Sequence, residues 1–343
     1  MKCHTAFSRY LAAIAFSFVL LAVAVLPAEA QYHVVKLVSN QAGVARNVDT
    51  NLVNAWGLAY GPTGPFWISD EGTGLSTLYT GMGATQSLVV TVPTASGQGQ
   101  GSPTGIVFNS TTDFTVTQNG KSGVASFIFD TLDGTISGWS PTVNATVAVV
   151  AATRPGAVYT GLATGQAHGD NFLFAADNAN NRVDIYDKDF TLVNSFTDNN
   201  LPSGSNPYNV QNIGGDLYVT FTTANGGGVV DIFDTDGRFK NTFATGGPLK
   251  SPWGLAKAPS NFGPASNAIL VGNLADGRIT AYDSGNGRLL GQLKDSSGNV
   301  IRILELWGLS FGGGTPANGK TNQLFFTAGP NNYANGLFGL ITP

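Results

Sequence analysis

The sequence predicts an all-β protein folded as a six-bladed β-propeller with four-stranded antiparallel blades. The phrase Ser251-Pro252-Trp253-Gly254-Leu255-Ala256 is matched closely by residues 54–59 and 305–310, and more weakly by residues 102–107, 158–163 and 206–210. These six copies recur about every 50 residues, a spacing typical of propeller blades. The chain also has 45 glycines and only 11% charged residues, as expected of short strands joined by many tight turns.

The N-terminal residues 1–30 are predicted to be a secretory signal peptide. Lys2 and Arg9 precede an uncharged run over residues 11–26, and Ala28-Glu29-Ala30 supplies the small residues that a signal peptidase reads. We expect cleavage near Ala30-Gln31 and export to the periplasm or the extracellular space. The alternative is a retained anchor, although a spanning helix usually needs about 20 apolar residues.

The mature chain, residues 31–343, is expected to form one propeller domain with no membrane span, because no second apolar run of that length follows. The single cysteine, Cys3, and one of the three histidines, His4, lie in the predicted signal. The mature chain is therefore expected to have no disulfide and no thiol chemistry.

Each repeat divides into four strands. The phrase forms the innermost strand, an apolar strand such as residues 269–271 follows, and the third strand alternates, as in residues 279–282. Turns rich in Asp and Gly then lead into a fourth, outer strand.

The strand count predicts how the ring closes. Six copies of the first three strands are present, but the repeats supply only five outer strands. Residues 33–38 have the pattern of the sixth, so the N-terminal strand is expected to complete the C-terminal blade. Residues 109–124, with Asn119-Gly120 at a hairpin tip, are expected to be an insertion in blade 2.

The net charge of −4 and the lack of a basic cluster argue against nucleic acid as a partner. Among the histidines of the mature chain, His168 is expected on the face opposite the candidate site, and His33 in the closing strand. A nucleophile activated by histidine is therefore not expected. Trp56, Trp253 and Trp307 are expected to pack in the gaps between blades.

A candidate site follows from the blade geometry. The first and third strands of a blade run the same way, so the residues that follow each second strand are expected around the mouth of the central channel. These residues are Asp70, Glu71, Asp130, Asp177, Asn178, Asn273 and Asn331. Facing carboxylates repel one another unless a cation lies between them, and oxygen ligands suit Ca²⁺ or another divalent cation. Equally, Asp and Asn at a strand end can bond the backbone of their own turn.

The Trp-Gly-Leu-Ala strands, the Val183-Asp184-Ile185-Tyr186 strand with its Asp turn, and the ending Phe326-Thr327-Ala328-Gly329-Pro330-Asn331 resemble a family of exported bacterial six-bladed propellers of uncharacterised function. The resemblance covers nearly all of residues 33–343. More distantly, the blades are similar to NHL repeats and to lactonase-like propellers of the gluconolactonase type. Those lactonases hold a divalent cation at the channel mouth, and matching by blade implies that Asp70 or Glu71, Asp177 or Asn178, and Asn273 lie near such positions. The predicted metal ligands here are Asp70, Asp177 and Asn273.

Two functions remain open. The first is a monomeric binding or scaffolding module that presents its channel-mouth loops to a protein or polysaccharide of the cell envelope. The alternative is a metal-dependent hydrolase or lactonase, in which the cation polarises a carbonyl and Asp177 acts as the base.

Overall fold

A computed structural model of the chain describes Met1 and residues 32–343. These residues form six blades of four antiparallel strands, and the innermost strands contact one another around a central axis. The only helical segments in the described residues are the 3-10 turns Asn178–Asn180 and Gly263–Ala265. The predicted fold class is therefore confirmed.

The chain begins with the strands β1 (His33–Ser39) and β2 (Asn47–Val48) and then builds the blades in order, each from the axis outward. Blade 1 contains β3 (Ala55–Tyr60), β4 (Phe66–Asp70), β5 (Leu75–Tyr79) and β6 (Thr85–Thr91). Blade 2 contains β7 (Pro103–Phe108), β10 (Phe127–Thr131), β11 (Thr135–Trp139) and β12 (Val149–Thr153), and the hairpin β8 (Thr115–Gln118) and β9 (Lys121–Val124) lies between β7 and β10. Blade 3 contains β13 (Tyr159–Ala167), β14 (Asp170–Asp177), β15 (Arg182–Tyr186) and β16 (Leu192–Phe196).

Blades 4 to 6 repeat this plan. Blade 4 contains β17 (Asn206–Ile213), β18 (Asp216–Thr222), β19 (Gly228–Phe233) and β20 (Phe239–Thr245). Blade 5 contains β21 (Pro252–Lys257), β22 (Ile269–Asn273), β23 (Ile279–Tyr282) and β24 (Leu289–Gln292). Blade 6 contains β25 (Leu306–Phe311), β26 (Leu324–Ala328) and β27 (Leu337–Thr342), and β1 is its fourth strand.

The N-terminal strand closes the ring as predicted. β1 pairs antiparallel with β27, from His33 opposite Thr342 to Ser39 opposite Leu337, and β2 adds a short parallel strand outside β1. The two ends of the described chain thus share one sheet, so no sheet edge is left open inside the ring.

The blades are held together by apolar side chains between their faces. At the junction of blades 1 and 6, the ring of Phe66 lies 4.4 Å from that of Phe325 and 5.5 Å from that of Phe338, measured between centroids. All three side chains are fully buried. Each such burial stabilises the fold by about 1.5–3 kcal/mol.

The repeated Trp-Gly pair has a geometric cause. The inner strands approach so closely that a Cβ on Gly57 would lie 2.5 Å from the carbonyl oxygen of Thr104 in the next blade, and one on Gly254 would lie 2.5 Å from that of Trp307. Glycine is therefore required after each of these tryptophans. The pairing register also shifts at this point, between Ala55 and Leu58 in blade 1.

The disc has two faces. The upper face is the one where the inner strands begin, and the lower face is the one where they end. The predicted signal peptide of residues 1–30, its cleavage point near Ala30-Gln31, and Cys3 and His4 lie outside residues 32–343, so the structure does not describe them. Within the described part of the chain, no helix has the length and apolarity needed to cross a bilayer.

Candidate functional site

The channel mouth on the upper face is filled by three indole rings. Trp56 and Trp307 stack with 3.6 Å between their ring centroids, and Trp253 meets them edge-on at 6.4 and 6.0 Å. Their exposures are 6%, 1% and 5%. Trp56 belongs to blade 1 and Trp253 to blade 5. Because these two blades are not neighbours, their rings can meet only on the axis. The expected location between blades was wrong, whereas burial of the rings is as expected.

Hydrogen bonds fix these rings in place. The Nε1 of Trp253 donates to the carbonyl of Thr160 across the axis at 2.7 Å, and the Nε1 of Trp307 donates to Oδ1 of Asn54 at 2.8 Å. The Nδ2 of Asn54 in turn donates to Glu71 at 2.8 Å. Glu71, one of the predicted site residues, thus supports this axial plug of Trp56, Trp253 and Trp307.

Asp70 ends β4 and is fully buried at the interface of blades 1 and 6. Neither carboxylate oxygen has a hydrogen-bond partner among the described residues. Burial raises the pKa of Asp70 well above its usual range, and the nearby Asp49 carboxylate adds to the rise. Asp70 therefore lies inside a blade interface.

Asp130 is fully buried on the inner part of blade 2, next to blade 3. Its Oδ1 accepts hydrogen bonds from Oγ1 of Thr104 at 2.7 Å and from the amide of Gly105. Burial raises the pKa of Asp130 to about 6, although these two hydrogen bonds favour the charged form and oppose the rise.

Asp177 and Asn178 hold the turn that joins two strands of blade 3. The carboxylate of Asp177 accepts from the amide of Val158 at 3.1 Å and from Nδ2 of Asn180 at 2.7 Å, and it pairs with Arg182 at 3.3 Å. Asn178 donates to the carbonyl of Pro207 at 2.9 Å. Both oxygens of Asp177 are therefore engaged locally, which does not suit the role of a base that the hydrolase alternative gives it.

The last two predicted residues, Asn273 and Asn331, also bond backbone groups. Asn273 accepts from the amide of Lys250 at 3.1 Å and donates to the carbonyl of Pro248 at 2.7 Å. Asn331 lies in the left-handed region with φ 68°, and its carbonyl accepts from the amide of Ala334. Asn273 thus bonds the connection between blades 4 and 5, whereas Asn331 bonds its own turn.

The candidate carboxylates are thus distributed over different blade interfaces. No group of three His, Cys, Asp or Glu side chains in residues 32–343 is arranged to hold a metal ion. The divalent cation at Asp70, Asp177 and Asn273 stays a prediction. It would have to compete with the hydrogen bonds that Asp177 and Asn273 already make.

The lower face is open where the upper face is filled. Two depressions of 280 and 320 Å³ lie around the axis there, and Tyr60, Gln211, Asn212 and Ser310 line both. A third depression of 580 Å³ adjoins them at Asn212 and extends outward to the blade 2 insertion. Together they form what we call the lower groove.

The polar side chains that line the lower groove are mainly amides and hydroxyls. Its polar side chains are those of Tyr60, Asn109, Ser110, Thr111, Thr164, Gln166, Asn171, Gln211, Asn212, Thr235, Lys257 and Ser310. Gln211 is exposed, and Lys257 is the one charged residue in this lining. The groove thus offers many hydrogen-bonding groups and little charge.

Several of these amides are held in fixed orientations. Asn212 donates to the carbonyl of Thr164 at 2.9 Å, and Gln166 donates to Asn171 at 2.8 Å. Asn171 donates to Asp113 at 2.7 Å. The sequence reasoning missed this groove because it considered only the upper face. The available signal was the polar pair Gln211-Asn212 in an inner strand, at positions that hold Ala59-Tyr60 in blade 1 and Val107-Phe108 in blade 2.

No protein-family profile matches the chain. The uncharacterised protein R648 of Acanthamoeba polyphaga mimivirus is 30% identical over 323 residues, covering 89% of this chain and 78% of that protein. This relative is viral, so the expectation of a bacterial family is not supported.

Two solved structures share the fold. Virginiamycin B lyase from Staphylococcus aureus has a TM-score of 0.54 at 13% identity, covering 91% of this chain and 99% of that chain. A chain of the COPII outer coat on membranes has a TM-score of 0.55 at 13% identity, covering 84% and 69%. One is an enzyme and the other a coat component, so the architecture alone does not decide between catalysis and binding.

Proposed function

This chain belongs to the family of the mimivirus protein R648, and from that premise we propose that it is a binding module that holds an uncharged, hydroxyl-rich glycan in its lower groove. The observation that carries this proposal is the amide and hydroxyl lining of the groove. The proposal keeps the predicted class of partner, a polysaccharide, and moves the binding face from the upper to the lower side of the disc.

The size of the groove supports a ligand of several sugar units. Each of the three depressions is close to or within the range of about 300–1,000 Å³ that is usual for small-molecule sites, and they are continuous. A chain of sugars could lie from the axis at Gln211 to the insertion at Asn109.

The chemistry of the lining matches sugar hydroxyls. Each hydroxyl can both donate and accept, and each Asn or Gln amide presents two donors and an acceptor. The hydrogen bonds of Asn212 and Gln166 hold those amides in place before a ligand arrives, which lowers the entropy lost on binding. Tyr60 and Phe108 add ring faces on which the apolar side of a sugar can rest.

Affinity gel electrophoresis tests the proposal. Gels that contain a neutral glucan, mannan or chitin fragment are expected to retard the protein, whereas the acidic polysaccharide alginate is not. Gln211→Ala should weaken the retardation, because Gln211 lines both axial depressions. Gln41→Ala is the matched control, since Gln41 is an exposed glutamine on the upper side, two residues beyond the end of β1 at Ser39. Equal migration with and without every neutral polysaccharide would reject the glycan.

The predicted export is part of the same proposal, since an envelope polysaccharide is reached only outside the cytoplasm. Mass spectrometry of protein expressed with its full N-terminus should give the mass of residues 31–343. Light scattering of that product tests the predicted monomer.

A further inference from the structure

A buried carboxylate recurs on the third strand of blades 3 and 4. Asp184 in β15 and Asp231 in β19 are both fully buried. In register, Asp184 lies opposite Ser195 of its outer strand, and Asp231 lies opposite Thr242. Each side chain faces the preceding blade, so the two carboxylates hold equivalent places in neighbouring blade interfaces.

The carboxylate of blade 3 is neutralised within the chain. Arg154 pairs with Oδ2 of Asp184 at 2.7 Å, and Arg182 pairs with Oδ1 at 3.1 Å. Tyr159 and Ser195 each donate a hydroxyl to it at 2.8 Å. A buried carboxylate is stable when it is paired and hydrogen-bonded in this way.

The carboxylate of blade 4 has no such cation. In blade 2, Arg154 lies two residues beyond Ala152, which pairs with Ile136. In blade 3, the equivalent position, two residues beyond Phe196, which pairs with Val183, is occupied by Asp198. Asp231 makes no ion pair in residues 32–343, and neither of its oxygens has a hydrogen-bond partner there. Burial raises the pKa of Asp231 to about 6; the Thr242 hydroxyl opposes this rise, and the Asp198 carboxylate beside it adds to the rise.

A cleft of 760 Å³ opens above these two carboxyl groups on the upper face. Asp231 does not itself line the cleft, but its register partner Thr242 and the neighbouring Asp198 do, so the Asp231 carboxylate lies directly behind the cleft wall. The wall includes Asp198, Leu201, Thr223, Asn225, Thr242 and Leu249. Lys250 is exposed at the rim and forms no ion pair with either carboxylate in the described residues.

We propose that this cleft binds a guanidinium group from outside, the arginine side chain of a peptide or protein, with Asp198 and Asp231 as its counter-charges. The neighbouring blade interface supports this choice, because there the equivalent carboxylate is neutralised by the guanidinium of Arg154. Oδ1 of Asp198 accepts from the amide and the Nδ2 of Asn200, which leaves Oδ2 for the ligand. A guanidinium has five donors in a planar fork, and its methylene stem can pack on Leu201 and Leu249.

Isothermal titration of residues 31–343 with N-acetyl-arginine methylamide tests the proposal. The arginine compound should bind, and its citrulline analogue, which has nearly the same shape without the charge, should bind at least about tenfold more weakly. Asp231→Asn and Asp198→Asn should each weaken arginine binding by about tenfold or more. Asp216→Asn, on the exposed surface of the same blade, should leave it unchanged. Equal binding of the two compounds, or binding unaffected by both cleft variants, would overturn the proposal.

A further variant places the missing positive charge on the protein itself. Asp198→Arg places a guanidinium where blade 2 has Arg154, so it should raise the thermal midpoint and abolish arginine binding. A variant with a lowered midpoint that still binds arginine would contradict the proposal. Calcium binding to the wild-type cleft without arginine binding would contradict it as well, since the site would then select a metal ion.

Discussion

Removal of the Trp307 side chain should cost more stability than removal of almost any other in the chain. Trp307 is 1% exposed, stacks on Trp56 and donates to Asn54, so it joins blade 6 to blade 1 at the axis. Trp307→Ala would leave a cavity in the axial plug and leave Oδ1 of Asn54 without its indole donor.

The size of the effect follows from these contacts. Truncation of a buried tryptophan to alanine costs about 3–5 kcal/mol in free energy of unfolding. Trp307→Phe keeps a ring against Trp56 but loses the hydrogen bond to Asn54, so it should cost about 1–3 kcal/mol. Since domains are stable by about 5–15 kcal/mol, the alanine variant should lose a large fraction of the total.

Urea denaturation followed by far-ultraviolet circular dichroism measures both losses without depending on the fluorescence of the removed indole. Phe239→Ala is the control, because Phe239 is 44% exposed on an outer strand and its removal should cost little. If Trp307→Ala is no more destabilising than this control, the axial plug does not hold the blades together.

Three further predictions concern closure, protonation and metal. Deletion of residues 31–39 removes β1 from blade 6, so it should lower the thermal midpoint and broaden the transition in calorimetry; a deletion variant that melts like the mature chain would contradict the closure. The folded-state pKa of Asp130 is raised to about 6, so the folded state binds a proton more tightly than the unfolded state, and the fold should lose stability as pH rises from about 4 to 6. Thermal midpoints measured between pH 4 and 7.5 should fall less in the Asp130→Asn variant than in the wild type. A variant with the same pH dependence as the wild type would contradict this role of Asp130. Asp177→Ala should lower the midpoint equally with and without a chelator, because Asp177 holds its own turn; a difference that depends on the chelator would instead support the predicted cation.

The fold could be read from the sequence because its cause is local and repeated. Each inner strand carries a copy of the same phrase. Its glycine, as at Gly57 and Gly254, is needed because the neighbouring inner strand approaches closely there. Counting strands was enough to assign residues 33–38 to the last blade. Strand order and closure follow from such patterns without knowledge of any side-chain orientation.

The site could not be read in the same way. Simple alternation directs Trp56 into a blade interface, but the irregular pairing between Ala55 and Leu58 turns the ring toward the axis. The meeting of Trp56 with Trp253 also depends on the curvature of the whole ring. Asp177 bonds its own turn and Asn273 bonds the segment between blades 4 and 5, and this use of Asp and Asn looks the same in sequence as a ligand set.

Hydrogen exchange with and without a neutral polysaccharide tests most directly whether ligands bind at the lower face. Protection is expected in the segments that line the lower groove, around residues 109–114, 164–171 and 211–215, with no change in the upper-face turns at residues 71–74 and 274–278. Protection confined to the upper-face turns would show that the groove is not the binding site.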